Sequence, residues 1–147
     1  MDPVPLRSTR VLWKSSVWML IPAYLSTDFL FTCVIRLTFI FSILHWYYYR
    51  MGSVYQALDC ILSSLTLTLL TLKSDTLLPL LPIVATFCIG HHYRRNNCFS
   101  QHLVYHVVFR ALAFLWCCHY CNHVNMALWL FYVIIYTLQV SYTWITG

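Results

Sequence analysis

The sequence has no glutamate, only two lysines and only three glycines among its 147 residues. Charged residues make up 9% of the chain, whereas soluble domains have roughly 25%. A folded chain with so few charges cannot cover its surface with polar groups, and large exposed apolar patches lead to aggregation. The lack of charge therefore excludes an ordinary soluble domain and favours lipid as the surrounding solvent.

The usual signatures of enzymes and of nucleic-acid-binding proteins are also missing. Glycine occurs only at positions 52, 90 and 147, so the chain has no Gly-rich phosphate loop and no serine nucleophile elbow. The four acidic residues are aspartates that lie far apart in the sequence, and no run of Lys and Arg marks a nucleic-acid surface. We expect a non-enzymatic protein that does not bind nucleic acid.

Hydrophobic residues make up 61% of the chain and form five long stretches. A helix rises ~1.5 Å per residue, so runs of this length cover about 27–35 Å, enough to cross a hydrocarbon core. The sequence therefore predicts an all-α, polytopic transmembrane bundle that forms a single domain over residues 1–147. The five stretches are residues 29–49, 54–72, 76–93, 99–119 and 124–146.

A sixth stretch, residues 11–26, has three interpretations. It can be a short first span whose Lys14 reaches the membrane surface, an interfacial helix, or a cleaved signal peptide. The absence of a small-x-small cleavage site argues against the signal peptide.

The distribution of basic residues favours six spans over five. With five spans, Lys and Arg divide almost evenly between the two faces, whereas six spans leave only Lys73 on the second face. The positive-inside rule favours the asymmetric arrangement, with both termini cytoplasmic and three helical hairpins over 11–49, 54–93 and 99–146. The basic residues that six spans bring to one face are Arg7, Arg10, Lys14, Arg50, Arg94 and Arg95.

Two segments, FSILHWYYYR (41–50) and FCIGHHYRR (87–95), share the order Phe, Ile, His, Tyr, Arg. Aromatic rings favour the headgroup depth and arginine favours the cytoplasmic side, so both segments predict helix ends at the same membrane face. The shared requirements of that interface explain the likeness, and a duplicated hairpin is the alternative.

Three charged residues, Arg36, Asp59 and Arg110, lie inside the apolar stretches. Each costs roughly 2.5–3.5 kcal/mol at a helix centre, and such residues usually face a bundle interior or water. The depths of Arg110 and Asp59 allow a pair between two helices. Arg36 has no carboxylate at its depth, so it must reach backbone carbonyls, water or a lipid phosphate. The two interpretations are a structural pair with a snorkelling Arg, and a polar path or lipid-headgroup groove through the bundle.

Histidines near the predicted cytoplasmic face raise the question of a b-type haem, which needs one His from each of two helices. His106 is placed to face His45 or His91 at similar depth. Interfacial histidines without a ligand are the alternative.

The motif Cys118-x-x-Cys121 suggests a redox dithiol or part of a metal site. The predicted tips at 26–28 and 73–75 carry no second cysteine pair, which argues against the quinone-coupled thiol oxidoreductases. Incidental cysteines or a local disulfide are the alternatives.

These observations favour a small multi-pass membrane protein whose partners are the lipid bilayer and other membrane proteins. Its role would be that of a complex subunit, a lipid-interacting protein or a small transporter. A haem or thiol redox protein is the first alternative. The second is the product of an unselected reading frame, since a coding strand poor in purines lacks Glu and Lys codons.

Overall fold

The computed structural model describes residues 5–50, 52–74, 76–121 and 126–146. Every regular element within these ranges is helical, in agreement with the predicted all-α class. The α-helices are α1 (Leu6–Ser15), α2 (Leu20–Leu25), α3 (Phe29–Tyr47), α4 (Val54–Lys73), α5 (Leu80–Arg95), α6 (Phe99–Tyr120) and α7 (Met126–Thr146), and a 3₁₀ turn, Ser16–Met19, joins α1 to α2.

Three of these helices, α3, α4 and α6, are long and apolar enough to cross a membrane. Helix α7 contains a shorter apolar segment, Leu130–Thr146. Helices able to span a membrane are therefore present within the described ranges, and three of the predicted spans are among them.

The starts of α3 and α4 follow from their capping residues. The Asp28 carboxylate accepts a 2.9 Å hydrogen bond from the Phe31 amide, and the Ser53 hydroxyl accepts one of 3.2 Å from the Gln56 amide. Each cap satisfies an amide that has no partner within its own helix. Asp28 thus starts the returning helix at the tip where the sequence predicts it.

The turn between α5 and α6 is a Schellman motif. Asn97 adopts a left-handed conformation with φ 57°, and the Cys98 amide donates to the Tyr93 carbonyl at 2.9 Å. This pattern satisfies carbonyls at the end of α5 and reverses the chain within three residues. Helix α5 itself begins at Leu80, after Pro79, and so starts later than the predicted stretch at 76.

The N-terminal segment is one bent helical rod that packs into the bundle. Pro22 has no amide hydrogen to donate to the preceding turn, and the 3₁₀ turn lies directly before it. The Ser15 and Ser16 hydroxyls donate back to the Leu12 carbonyl at 2.9 and 3.0 Å. Both serines and Leu12 are buried, so this segment is part of the core and not a peripheral helix.

Helix packing departs from the predicted hairpins in two of three cases. The N-terminal rod packs on α3, as the 11–49 hairpin predicts, but α4 packs on α3 and α5 packs on α6. Helices α4 and α5 make little contact with each other, and α7 packs mainly on α1. Only three residues, 96–98, separate α5 from α6, whereas six residues separate α3 from α4 and six separate α4 from α5.

Both ends of the described chain lie at one end of the bundle. The Arg7 guanidinium stands 5.4 Å from the centre of the Trp144 ring, which joins the start of α1 to the end of α7. At the opposite end, Lys73 forms an ion pair with Asp28, and the Tyr120 hydroxyl donates to the same carboxylate at 3.2 Å.

Candidate functional site

A cavity of about 440 Å³ lies among the helices and is lined by residues from the N-terminal rod and from α3 to α7. Ligand pockets in proteins have volumes of roughly 300–1,000 Å³. The surface of this cavity is mostly apolar, and charged and polar side chains lie among the apolar ones. They include Ser15, Ser16, Ser42, Asp59, Ser63, Arg94 and Arg110, together with His45, His91, His102 and His106.

Arg110 is fixed in the cavity wall by hydrogen bonds to three helical segments. Its Nη1 donates to the Leu12 carbonyl and to the hydroxyls of Ser15 and Ser16, at 2.9 and 2.8 Å for the two hydroxyls. Its Nη2 donates to the Ser42 hydroxyl at 2.8 Å. Charge-assisted hydrogen bonds of this kind are the stronger ones, so the guanidinium holds the N-terminal rod against α3 and α6.

Ser42 and Ser63 lie beside the two charges of the cavity. The Ser42 hydroxyl accepts from Arg110 at 2.8 Å, and the Ser63 hydroxyl lies 3.5 Å from the Asp59 carboxylate. Within the described ranges the ion-pair distance is met only by Lys73 and Asp28. Asp59 and Arg110 therefore do not form the predicted direct ion pair within these ranges. Both nevertheless line one cavity, as a polar path through the bundle requires.

Three buried polar atoms beside this network have no hydrogen-bond partner among the described residues. They are Nδ1 of His45, Nε1 of Trp46 and Nε2 of His102, each in a residue that is 5% exposed. The Trp46 ring lies 4.6 Å from the His45 ring and 6.4 Å from the His102 ring, between centroids. Unsatisfied buried polar atoms are costly, so they mark a place for a hydrogen-bonding ligand or ordered water.

A contact with α5 fixes the orientation of His102. Its Nδ1 lies 3.0 Å from the Gly90 carbonyl oxygen, which accepts only, so Nδ1 carries the proton. In the neutral ring Nε2 is then a hydrogen-bond acceptor. Gly90 permits this approach, since a Cβ there would stand only 3.2 Å from the Tyr105 Cβ.

Arg94 closes the cavity at the end where both termini lie. Its Nη2 donates to the Tyr49 hydroxyl at 2.8 Å, and its guanidinium stands 5.0 Å from the centre of the Phe99 ring. Arg94 is buried, although it sits at the end of α5. The two similar sequence segments therefore meet at one end of the bundle.

Arg36 lies apart from the cavity. It is exposed on the outer face of α3, and it has no hydrogen-bond or ion-pair partner within the described part of the chain. The prediction that Arg36 reaches a backbone carbonyl finds no support within these ranges. The remaining candidates for the partner of Arg36 are water, a lipid phosphate and another protein.

The three histidines predicted as haem ligands, His45, His91 and His106, all line the cavity. Their environments differ, because His45 is buried and His91 is exposed on α5. No cluster of three or more His, Cys, Asp or Glu residues suited to a metal ion occurs in the ranges that the structure describes.

The two cysteines of the predicted redox motif are free thiols in different surroundings. Cys118 is fully buried and packs with Phe114 and Leu115. Cys121, at the end of α6, lies 3.6 Å from the Pro22 carbonyl oxygen, and burial raises the pKa of its thiol. Neither position resembles the exposed, electropositive surroundings that lower a thiol pKa.

Sequence reasoning missed Trp46 and Ser42 as parts of this site. Hydroxyl side chains at Ser15, Ser16 and Ser42 within apolar helices were the available signal, because serine in such a helix often bonds polar groups on a neighbour. No family model, curated protein or solved structure matches the chain. The proposed function therefore rests on the geometry of the cavity.

Proposed function

We propose that the chain is a six-span membrane protein with both termini on the cytoplasmic face. The packed N-terminal rod supplies the first span, and α7 supplies the last. Support comes from the clustering of Arg7, Arg50 and Arg95 at the end where α1 begins and α7 ends. Basic residues concentrate on the cytoplasmic side of membrane proteins.

The proposed role is non-enzymatic binding of an anionic polar group inside the bundle. The observation that carries it is Arg110, held by hydrogen bonds in the wall of the cavity, with Arg94 at the same cavity and only Asp59 among the described lining residues to offset their charge. Buried charges in a membrane are expensive and usually serve a function. The net positive charge of the cavity favours a phosphate or carboxylate.

Binding of sn-glycerol 3-phosphate to the full chain in a neutral detergent, measured by calorimetry, tests the role. We expect Arg110→Gln to weaken binding by about tenfold or more, since hydrogen bonds to charged groups contribute roughly 1.5–3 kcal/mol. Arg36→Gln is the matched control, because it removes an equal charge from a helix position outside the cavity. Equal weakening by both variants would refute a site at Arg110.

A variant that binds the anion more tightly distinguishes an effect of charge from an effect of misfolding. Asp59→Asn removes the negative charge from the cavity and keeps the side-chain shape, so we expect several-fold tighter binding of the same anion. A variant that merely unfolds cannot bind more tightly. Unchanged or weaker binding in folded Asp59→Asn protein would count against an anion site.

A b-type haem is the second candidate, favoured by one observation: His45, His91 and His106 line a single cavity. An optical spectrum of the purified protein tests it. A Soret band that disappears in His106→Ala would support haem over an anion.

A further inference from the structure

Among the described residues that line the cavity, the exposed ones lie on one side. Most of the residues that line it are buried or half-buried, whereas five are exposed. All five lie on α4 or α5: Cys60, Ser64, Val84, Phe87 and His91. A residue that both lines a cavity and faces the exterior marks an opening, so the opening lies between these two helices.

The helix packing agrees with this position. Helices α4 and α5 make little contact with each other, although each packs closely on another neighbour. At the end of the bundle, Arg94 and Tyr49 line the cavity and are joined by a hydrogen bond. A ligand therefore reaches the cavity from the side.

The opening extends from near the headgroup region to about the middle of the hydrocarbon core. His91 is four residues and Val84 eleven residues before the end of α5, and Ser64 is ten residues after the start of α4. At ~1.5 Å per residue the opening covers about 6–17 Å from that end of the helices, within a span of about 30 Å. Its rim is apolar at Val84 and Phe87, which are 46% and 45% exposed.

We propose that this opening admits the headgroup of an anionic phospholipid from the bilayer while the acyl chains stay outside. The inference rests on the proposed anion site and names its ligand. A headgroup that stays attached to its acyl chains can enter only through an opening toward lipid, and the gap between α4 and α5 is such an opening.

The unpartnered atoms specify the headgroup further. The Trp46 indole N–H is a hydrogen-bond donor without a partner among the described residues. The Arg110 guanidinium, 5.8 Å from the centre of the Trp46 ring, is also a donor. Both groups can donate hydrogen bonds to phosphate oxygens. Nε2 of His102 accepts in the neutral ring, so it needs a donor on the ligand. A phosphate that carries a glycerol or inositol group supplies both. A choline headgroup has no such donor and brings a second cation toward Arg110.

The test compares two substitutions one helical turn apart on α4. Ser64 and Thr68 are both exposed, and each hydroxyl donates to a carbonyl of its own helix at 2.8 Å, but only Ser64 lines the cavity. Ser64→Trp places an indole in the opening, whereas Thr68→Trp places one on the lipid-facing surface. The full chain in neutral detergent is delipidated, and binding of phosphatidylglycerol, phosphatidylcholine and sn-glycerol 3-phosphate is measured by native mass spectrometry.

We expect the unaltered chain to bind phosphatidylglycerol at least about tenfold more tightly than phosphatidylcholine, a difference of ~1.4 kcal/mol. Ser64→Trp should lose most of this preference, while Thr68→Trp should keep it. If the unaltered chain binds the two lipids equally and still binds glycerol 3-phosphate, the inference is wrong. The proposal of an anion site is then retained, with water filling the cavity. Loss of phosphatidylglycerol in both variants also overturns it. Failure of the unaltered chain to bind any of the three ligands overturns the anion site itself.

Discussion

Arg94, at the end of α5, donates a 2.8 Å hydrogen bond to the hydroxyl of Tyr49, just beyond the end of α3. These residues belong to the two similar segments FSILHWYYYR and FCIGHHYRR. Their neighbours nevertheless differ, because His45 is buried against Trp46 whereas His91 is exposed. Similar demands at one membrane face explain the likeness better than a repeat of one packing unit.

Removing the Tyr49 hydroxyl should destabilise this end of the bundle. Tyr49→Phe leaves the buried Arg94 without that acceptor, and such a loss costs about 1–3 kcal/mol. We expect a lower free energy of unfolding in denaturant titrations of the detergent-solubilised chain. Tyr48→Phe is the control, since Tyr48 is exposed and makes only ring contacts. A similar loss in both variants would contradict a specific role for the Arg94 contact.

At the opposite end, Asp28 should contribute more to stability than its ion-pair partner Lys73. Both side chains are part-exposed, so the pair itself contributes only about 0–1 kcal/mol, whereas the cap on the Phe31 amide contributes about 1 kcal/mol. We expect Asp28→Ala to reduce the free energy of unfolding clearly, and Lys73→Met to change it little. Asp28→Asn keeps a good capping side chain and should resemble Lys73→Met. A larger loss for Lys73→Met than for Asp28→Ala would reverse this order.

The six-span topology makes a specific prediction about the faces of the membrane. Epitope tags at the N-terminus, in the 50–53 turn and at the C-terminus should all be cleaved from the same side of sealed vesicles, and a tag in the 74–76 connection from the other. A five-span chain would place the N-terminal tag opposite the 50–53 turn. Protease protection with and without detergent decides between the two.

The sequence predicted those features that depend on hydrophobicity and on local chain chemistry. The helix start at Asp28 follows from a capping residue before an apolar run, and α3 follows from the run itself. Such signals depend only on residues that are close together in the chain, so they can be read from a single sequence. The same holds for Asp59 and Arg110 as interior charges, because their cost in lipid does not depend on their partners.

The residues that contact those charges depend on how the helices pack, and short-range sequence patterns do not show this. Depth alone matched Arg110 to Asp59, but the packing of the helices gave Arg110 the hydroxyls of Ser15, Ser16 and Ser42 as partners. The rotation of α3 turned Arg36 outward and Trp46 inward. Hairpin pairing failed for a related reason, since both α4 and α5 have apolar sides on which other helices can pack.

Thiol reactivity distinguishes the redox alternative from the anion site. Cys118 is buried among apolar side chains, so a thiol reagent should reach it only after unfolding.

Burial raises the pKa of Cys121, so at neutral pH its thiolate fraction is below that of a free cysteine. The rate at which Cys121 is labelled should therefore keep increasing as the pH rises past the usual thiol pKa. Labelling of the Cys118→Ala and Cys121→Ala variants, folded and unfolded, assigns each rate. Fast labelling of Cys121 at pH 6, or a 118–121 disulfide in protein purified without reductant, would instead support a redox pair, because a catalytic dithiol needs one thiolate at working pH.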